Sequence, residues 1–186
     1  NMKAELSGWD FEATAKAADQ AWNEELGKIK VEGKDNETLK IFYTALYHAM
    51  IAPSTFCDVN ESYQTYTTFS LWDTYRAAMP LYSIFQSERY TDMINTMLAI
   101  YKEQGKLPVW HLHGCETNCM VGNPGIIPVA DAIVKDLPGI DYELAFEAMK
   151  ASALRPDRGQ EHRMKYGYIP CDLFGESVAY DLEYAL

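Results

Sequence analysis

Ser87-Glu88-Arg89-Tyr90-Thr91-Asp92-Met93-Ile94-Asn95-Thr96-Met97-Leu98-Ala99-Ile100-Tyr101-Lys102-Glu103-Gln104-Gly105 places Met93, Ile94, Met97, Leu98 and Tyr101 at spacings of three and four. That period puts them on one face of an α-helix. Ser87 is a residue type that caps a helix N-terminus, and Gly105 is one that closes a C-terminus. The run therefore predicts a helix with one buried side.

The same period recurs on both sides of this run. Upstream, Asp10 is placed to cap a helix to about Lys28 with Phe11, Ala15, Ala18, Trp22 and Leu26 as its buried stripe. Asn36 is read as the cap of a second helix through Leu39, Phe42, Leu46 and Met50, stopped soon after by Pro53. A polar, Tyr-rich loop is expected from Ser54 to Tyr66. A further helix should begin near Thr67 or Thr68 with Leu71, Trp72, Tyr75 and Met79, and Pro80 should kink or end it.

Downstream, an irregular segment from Lys106 to Asn118 precedes a helix from about Pro124 to Asp136. Asp141 caps another through Phe146, Met149 and Leu154. A long loop containing Pro156, Gly159, Gly167 and Pro170 then leads to a last helix from about Glu176. Residues 177–186 still follow a helical pattern without Gly, Pro or a basic last turn, which reads as a truncation. No stretch alternates at period two, so strands are expected only as short local pairs. The fold class is all-α, built of helical pairs, and periodicity leaves a bundle, a solenoid and an α/α toroid equally open.

Composition narrows the function. The 186 residues are 48% apolar and 23% charged, enough for one core and for one domain or part of one. Aromatic residues make up 13%, with 13 Tyr and 4 Trp, an excess suited to stacking on flat, hydroxylated ligands such as sugars. The net charge of −11 argues against a phosphate-backbone partner and disfavours an anionic membrane surface. No apolar run approaches the roughly 18 residues of a membrane span, and Asn1-Met2-Lys3-Ala4-Glu5 does not lead into a signal-peptide core. Cys57, Cys115, Cys119 and Cys171 fit no small disulfide scaffold.

The segment with the densest chemistry is Trp110-His111-Leu112-His113-Gly114-Cys115-Glu116-Thr117-Asn118-Cys119-Met120, where two His, two Cys and a Glu fall within nine residues. Such density invites a zinc reading. Its spacing argues against one, since only His162 and Cys171 stand elsewhere as partners. Glu116 has a second reading, as a carboxyl partly desolvated beside Trp110 and serving as a general acid. Its bland alternative is a solvated loop glutamate, and spacing does not separate the two.

Four blocks decide further: Thr67-Thr68-Phe69-Ser70-Leu71-Trp72-Asp73-Thr74-Tyr75-Arg76, Glu116-Thr117-Asn118-Cys119-Met120-Val121-Gly122, Gly167-Tyr168-Ile169-Pro170 and Glu176-Ser177-Val178. In this order they resemble family 92 of the glycoside hydrolases, from about residue 36 to the end. The resemblance implies a calcium-dependent exo-α-mannosidase that inverts the anomeric carbon, built from an N-terminal β-sandwich and an (α/α)6 toroid. This chain resembles the central part of that toroid, residues 1–186 forming one partial domain without the sandwich or the C-terminal part of the ring. Exposed apolar helix surface and self-association of the isolated chain would follow.

By the same resemblance Glu116 is the general acid, and the catalytic base lies in a motif that this chain lacks, so the chain alone is not expected to turn over. Glu176 corresponds to a carboxylate that ligates calcium, although Gly175 stands where the family commonly has Asn. Asp73 and Trp72 are expected at the mannose subsite, Asp73 with the alternative of a plain helix-start acid and Trp72 with that of a core residue. His111 and His113 are expected below the acid, as donors to sugar hydroxyls or, protonated, as neighbours that adjust it.

Cys171-Asp172 replaces the His-Glu pair of α-1,2-selective members, which implies another linkage or a mannosyl-phosphate target. A mannose-containing glycan is the expected partner, and a periplasmic or secreted location is expected for the longer protein. Two rivals remain at this point: another toroidal carbohydrate enzyme with its acid elsewhere, and a non-catalytic helical module that binds glycan or protein.

Overall fold

The helix read from the central run, α6 (Ser87–Gln104), is the axis of the core. The structure, a computed structural model, describes residues 2–6, 8–59 and 65–180. Within α6 the expected face is buried, including Met93, Ile94, Met97 and Leu98, and Gly105 ends the helix at φ 75° with its N–H on the Tyr101 carbonyl. Ser87, however, is the first helical residue and caps nothing. α5 (Ala78–Phe85) runs into α6 through Gln86 alone, and the Gln86 side chain is taken up by Glu25, at 2.5 Å, and Lys28, at 3.2 Å.

Around α6 pack α5, α7 (Ile126–Val134) and α8 (Tyr142–Leu154). Their shared core joins Met79 and Tyr82 of α5, Val129 and Ala132 of α7, and Ala145 and Ala148 of α8. Tyr90, fully buried on α6, donates to the Pro128 carbonyl at 3.1 Å and lies 3.3 Å from the Asp131 carboxylate; burial and that carboxylate push its phenol far up. Sequential helices thus pack as pairs, α5 with α6 and α7 with α8, as the all-α reading expects.

The N-terminal helices follow α1 (Met2–Glu5) and form a third pair, α2 (Phe11–Leu26) with α3 (Asn36–Ala49). Asp10 caps α2, its carboxylate accepting from Ala13 N at 3.1 Å. The cap of α3 is Asp35 rather than Asn36, because its carboxylate accepts from Thr38 N at 2.7 Å while Asn36 is already helical. The stripe expected to be buried on α2 is not: Phe11 is 80% exposed and no residue of α2 is buried. Periodicity marks a face that could be buried, and α3 meets it through the Trp22–Tyr47 edge contact at 4.6 Å.

Two further expectations change. The helix expected from Thr67 begins as α4 (Leu71–Thr74), breaks at residues 75–77 and resumes as α5. Pro80 lies in the first turn of α5, where its missing N–H has no intrahelical acceptor to lose, so it starts a helix rather than ending one. The loop expected after α8 contains α9 (Gln160–Tyr166), bracketed by left-handed Gly159 and Gly167. A final helical stretch covers 177–180, and the rest of the expected last helix lies outside the described residues.

Short strands complete the fold. β1 (Ser54–Thr55) pairs antiparallel with β2 (Tyr66–Thr67) inside the segment read as loop. β3 (Phe69–Ser70), β4 (Trp110–Leu112) and β5 (Cys115–Glu116) form an antiparallel sheet in that order. Leu107, Pro108 and Val109, all buried, lead into β4. Leu107 N donates to Ser152 Oγ on α8 at 2.8 Å, and Gly125, just before α7, presses on the same segment. A Cβ at Gly125 would stand 2.4 Å from the Pro108 carbonyl oxygen. Gly125→Ala should therefore destabilise the protein by about 1–3 kcal/mol. Urea unfolding checks this, and an unchanged midpoint would refute the close approach.

Candidate active site

The three-stranded sheet gathers sequence blocks that lie far apart. Its register sets Phe69 opposite His111 and His111 opposite Glu116, with Ser70 opposite Trp110. β4 turns into β5 through His113-Gly114, both at positive φ (47° and 79°), the signature of a two-residue hairpin turn. Glu116 then folds its side chain back across the hairpin. Its Oε2 accepts from Val109 N at 2.8 Å, and its Oε1 accepts from Trp110 N at 3.1 Å and Asn118 N at 2.7 Å. The carboxylate is half-buried and replaces the ladder bonds that the short strands leave unmade.

Trp72 and Asp73 follow β3 directly, on α4, and so sit at the far edge of the same sheet. Ser70 Oγ donates to Asp73 Oδ2 at 2.6 Å, which orients the exposed carboxylate. Trp72 is half-buried and lies outside the core cluster, which sets aside its reading as a core residue.

The two histidines separate. His113 is exposed in the hairpin turn, its N–H donating to Thr67 Oγ1 at 2.5 Å and its ring edge-on to Phe56. His111 is 5% exposed, and among the described residues its Nδ1 has no hydrogen-bond partner. Burial holds its imidazole below the ordinary value of 6.5, against the opposing pull of Glu116 and Glu103. A protonated His111 beside the acid is therefore not the resting state near neutral pH.

Behind Glu116 stands a group of cations that sequence reading did not single out. Lys106 Nζ donates to Asn118 Oδ1, and burial draws its ammonium below the usual lysine range, partly offset by Asp157 and Glu116. Arg155 pairs with Asp157 at 2.8 Å. Arg158 pairs with Glu176 at 2.8 Å, and its guanidinium also donates to the Asn118 and Met120 carbonyls and to the Tyr180 hydroxyl. In the sequence these cations read as an ordinary charged loop, and no spacing distinguishes Arg158 from its neighbours.

Glu176 is thus joined to the Glu116 loop through Arg158. Calcium takes about six to eight oxygen ligands. Among the described residues no group of three His, Cys, Asp or Glu side chains converges to hold a metal, and the one candidate carboxylate faces a guanidinium. The described carboxylates by themselves offer calcium too few ligands. Among the described residues the zinc reading of residues 111–119 likewise finds no ligand set, and all four cysteines are exposed, free thiols. Cys171 and Asp172 lie in an exposed turn after Pro170, and no hydrogen bond among the described residues ties either to Glu116.

The buried imidazole has a pH signature. Because His111 binds its proton less readily folded than unfolded, its contribution favours the folded state fully above about pH 6.5 and is lost progressively as pH falls below it. The drop in melting temperature between about pH 7.5 and about pH 5.5 should be smaller in His111→Asn than in the unsubstituted protein. Equal drops would remove His111 from the account.

The glycosyl hydrolase family 92 catalytic domain matches residues 1–186. A solved family GH92 α-mannosidase, BT3965 from Bacteroides thetaiotaomicron, superposes with a TM-score of 0.91 at 38% identity over 98% of this chain and 27% of its own. The family GH92 inverting mannosidase BT2199 from Bacteroides thetaiotaomicron VPI-5482 gives 0.81 at 28% identity, over 90% of this chain and 26% of its own. An uncharacterized secreted glycosidase of Arthroderma benhamiae is 31% identical over 91% of this chain and 21% of its own length. The chain thus spans about a quarter of the solved relatives and about a fifth of the curated one. It belongs to glycosyl hydrolase family 92, within whose catalytic domain all of its residues match.

Proposed function

We propose that this chain supplies the general acid, Glu116, of an α-mannosidase that removes terminal mannose with inversion. The observation that carries the reading is the anchoring of the Glu116 carboxylate by three backbone N–H groups at a sheet that also carries Trp72 and Asp73. Glycoside hydrolysis needs a carboxylic acid held in fixed aim at the departing oxygen. Oε1 takes two N–H donors and Oε2 only one, so Oε2 keeps an open direction from which to deliver a proton. Half-buried Trp72 is read as the stacking residue and the exposed Asp73 carboxylate as an acceptor for sugar hydroxyls.

Inversion requires a second carboxylate about 6.5–9.5 Å from the first, with the attacking water between them. That base belongs to the part of the longer protein outside this chain, which is therefore inactive by itself. Mannose as the sugar is supported by the complex of the BT3965 α-mannosidase with mannoimidazole. A calcium role for Glu176 needs both release from Arg158 and ligands from outside the described residues, so no step is assigned to the ion. The helical pairs are read as the central part of an (α/α)6 toroid, and the exposed apolar residues of α2, α3 and α8 support self-association of the isolated chain. The secreted relative supports a secreted or periplasmic location, and no described helix is long and apolar enough to cross a membrane.

The longer protein should release mannose from aryl α-mannosides, and Glu116→Gln should lower kcat/KM by about 10²–10⁴-fold; full activity in the variant would place the acid elsewhere. With Cys171-Asp172 in place of the His-Glu pair of α-1,2-selective members, a mannobiose panel should show a preference other than α-1,2, or cleavage of mannosyl phosphate. Strong α-1,2 preference would sink that specificity. Calorimetric titration of this chain with calcium should show no stoichiometric binding, while a chelator should depress the longer protein's activity.

A further inference from the structure

Arg158 is 12% exposed and uses every arm of its guanidinium. Nε donates to the Tyr180 hydroxyl at 2.5 Å, Nη1 to the Asn118 carbonyl, and Nη2 to the Met120 carbonyl and, at 2.8 Å, to Glu176 Oε2. The guanidinium carbon also lies 5.8 Å from the Tyr180 ring centroid. One cation therefore joins the loop after β5 to the first turn of the last described helical stretch.

The loop needs such a hold. Asn118 and Met120 both have positive φ, 53° and 67°, a region that residues with a Cβ enter at a cost, less for Asn than for Met. Their carbonyls are the two that Arg158 grips. Asn118 in turn gives its N–H to Glu116 Oε1 at 2.7 Å and accepts from Lys106 through its side chain. The acid and the guanidinium are thus separated by a single residue: Asn118 faces Glu116 with its N–H and Arg158 with its C=O.

We propose that Arg158 is a positioning residue for Glu116, holding the left-handed turn at 118–120 so that the Asn118 N–H keeps the acid aimed. The assignment rests on Glu116 being the acid, although the hold on the loop is independent of it. The fork geometry matters more than the charge. A lysine at 158 keeps a cation for Glu176 but not a planar fork for two carbonyls as well. Glu176, in turn, fixes the guanidinium from the other side, so the position of its helical segment reaches the acid through one side chain.

The test uses the full-length protein, unsubstituted and as Arg158→Ala, Arg158→Lys and Glu116→Gln. Two α-mannosides serve as probes: a phenyl glycoside, whose leaving group needs a proton, and a 2,4-dinitrophenyl glycoside, whose leaving group does not. For Arg158→Ala, kcat on the phenyl glycoside should fall about 10²-fold with little change in KM, while kcat on the dinitrophenyl glycoside changes far less. Arg158→Lys should show the same contrast, and it replaces the alanine variant if that variant does not fold. Added guanidinium should recover part of the lost rate in Arg158→Ala.

Hydrogen exchange gives a readout free of activity: the peptide covering 116–120 should lose protection in both Arg158 variants. Equal losses on the two substrates, or no loss, with protection at 116–120 unchanged, would overturn the proposal. If the unsubstituted protein releases no mannose, the mannosidase reading fails, and exchange at 116–120 still decides whether Arg158 holds the loop.

Discussion

The backbone donors of Val109, Trp110 and Asn118 have to be satisfied, and one carboxylate satisfies all three. An unmade hydrogen bond in a half-buried site costs about 1–3 kcal/mol, so Glu116 is a structural member of its hairpin as well as the candidate acid. β4 and β5 are too short to hold themselves by ladder bonds, and the side chain completes what the ladder leaves open. Chemistry and architecture therefore share one group. The amide of Glu116→Gln can still serve Trp110 and Asn118 with its oxygen but meets Val109 with a second donor. The melting temperature of that variant belongs beside its kinetics.

From this anchor the rest of the site is arranged by packing. Leu107 and Val109 are sunk beneath the sheet, and Leu107 N is tied to Ser152 of α8, whose hydroxyl also donates to the Ala148 carbonyl. Asn123 reaches the Ser152 carbonyl from the other side of the loop. On the opposite edge Phe69 and Leu71, both fully buried, fasten β3 and α4 to the helical core. The sheet is thus carried by α6, α7 and α8, and Glu116, Trp72 and Asp73 inherit their positions from helices that carry none of the three.

Charge shows the same division between whole and part. A chain with net charge −11 concentrates Lys106, Arg155 and Arg158 behind its candidate acid, where Asp157 and Glu176 pair with two of them. Such a group orders a loop without making the surface basic, because each guanidinium is met by a carboxylate or by carbonyls. It also explains why Glu176, a carboxylate in a calcium-ligand motif by resemblance, stands here as the partner of an arginine.

Much of the helical framework was legible in the residues. Periodicity located α3, α6 and α8, and Asp10 and Asp141 were readable as caps because their carboxylates accept from N–H groups three residues on. The all-α class follows from such local signals, and four ordered word blocks carried the family and with it Glu116. Pairing was beyond local reading. β3 and β4 are two and three residues long, too short to alternate, and they meet only because α5, α6 and α7 fold the chain between and around them. The exposure of the α2 stripe, the cap at Asp35, the buried neutral His111 and the reach of Arg158 were decided likewise by tertiary contacts. Sequence by itself determined which faces are helical and which carboxylate to suspect, since both are written at spacings of a few residues; tertiary structure alone decided what holds that carboxylate, because its partners are backbone N–H groups that no side-chain pattern marks, and the loop presenting one of them is gripped by Arg158 from far along the chain.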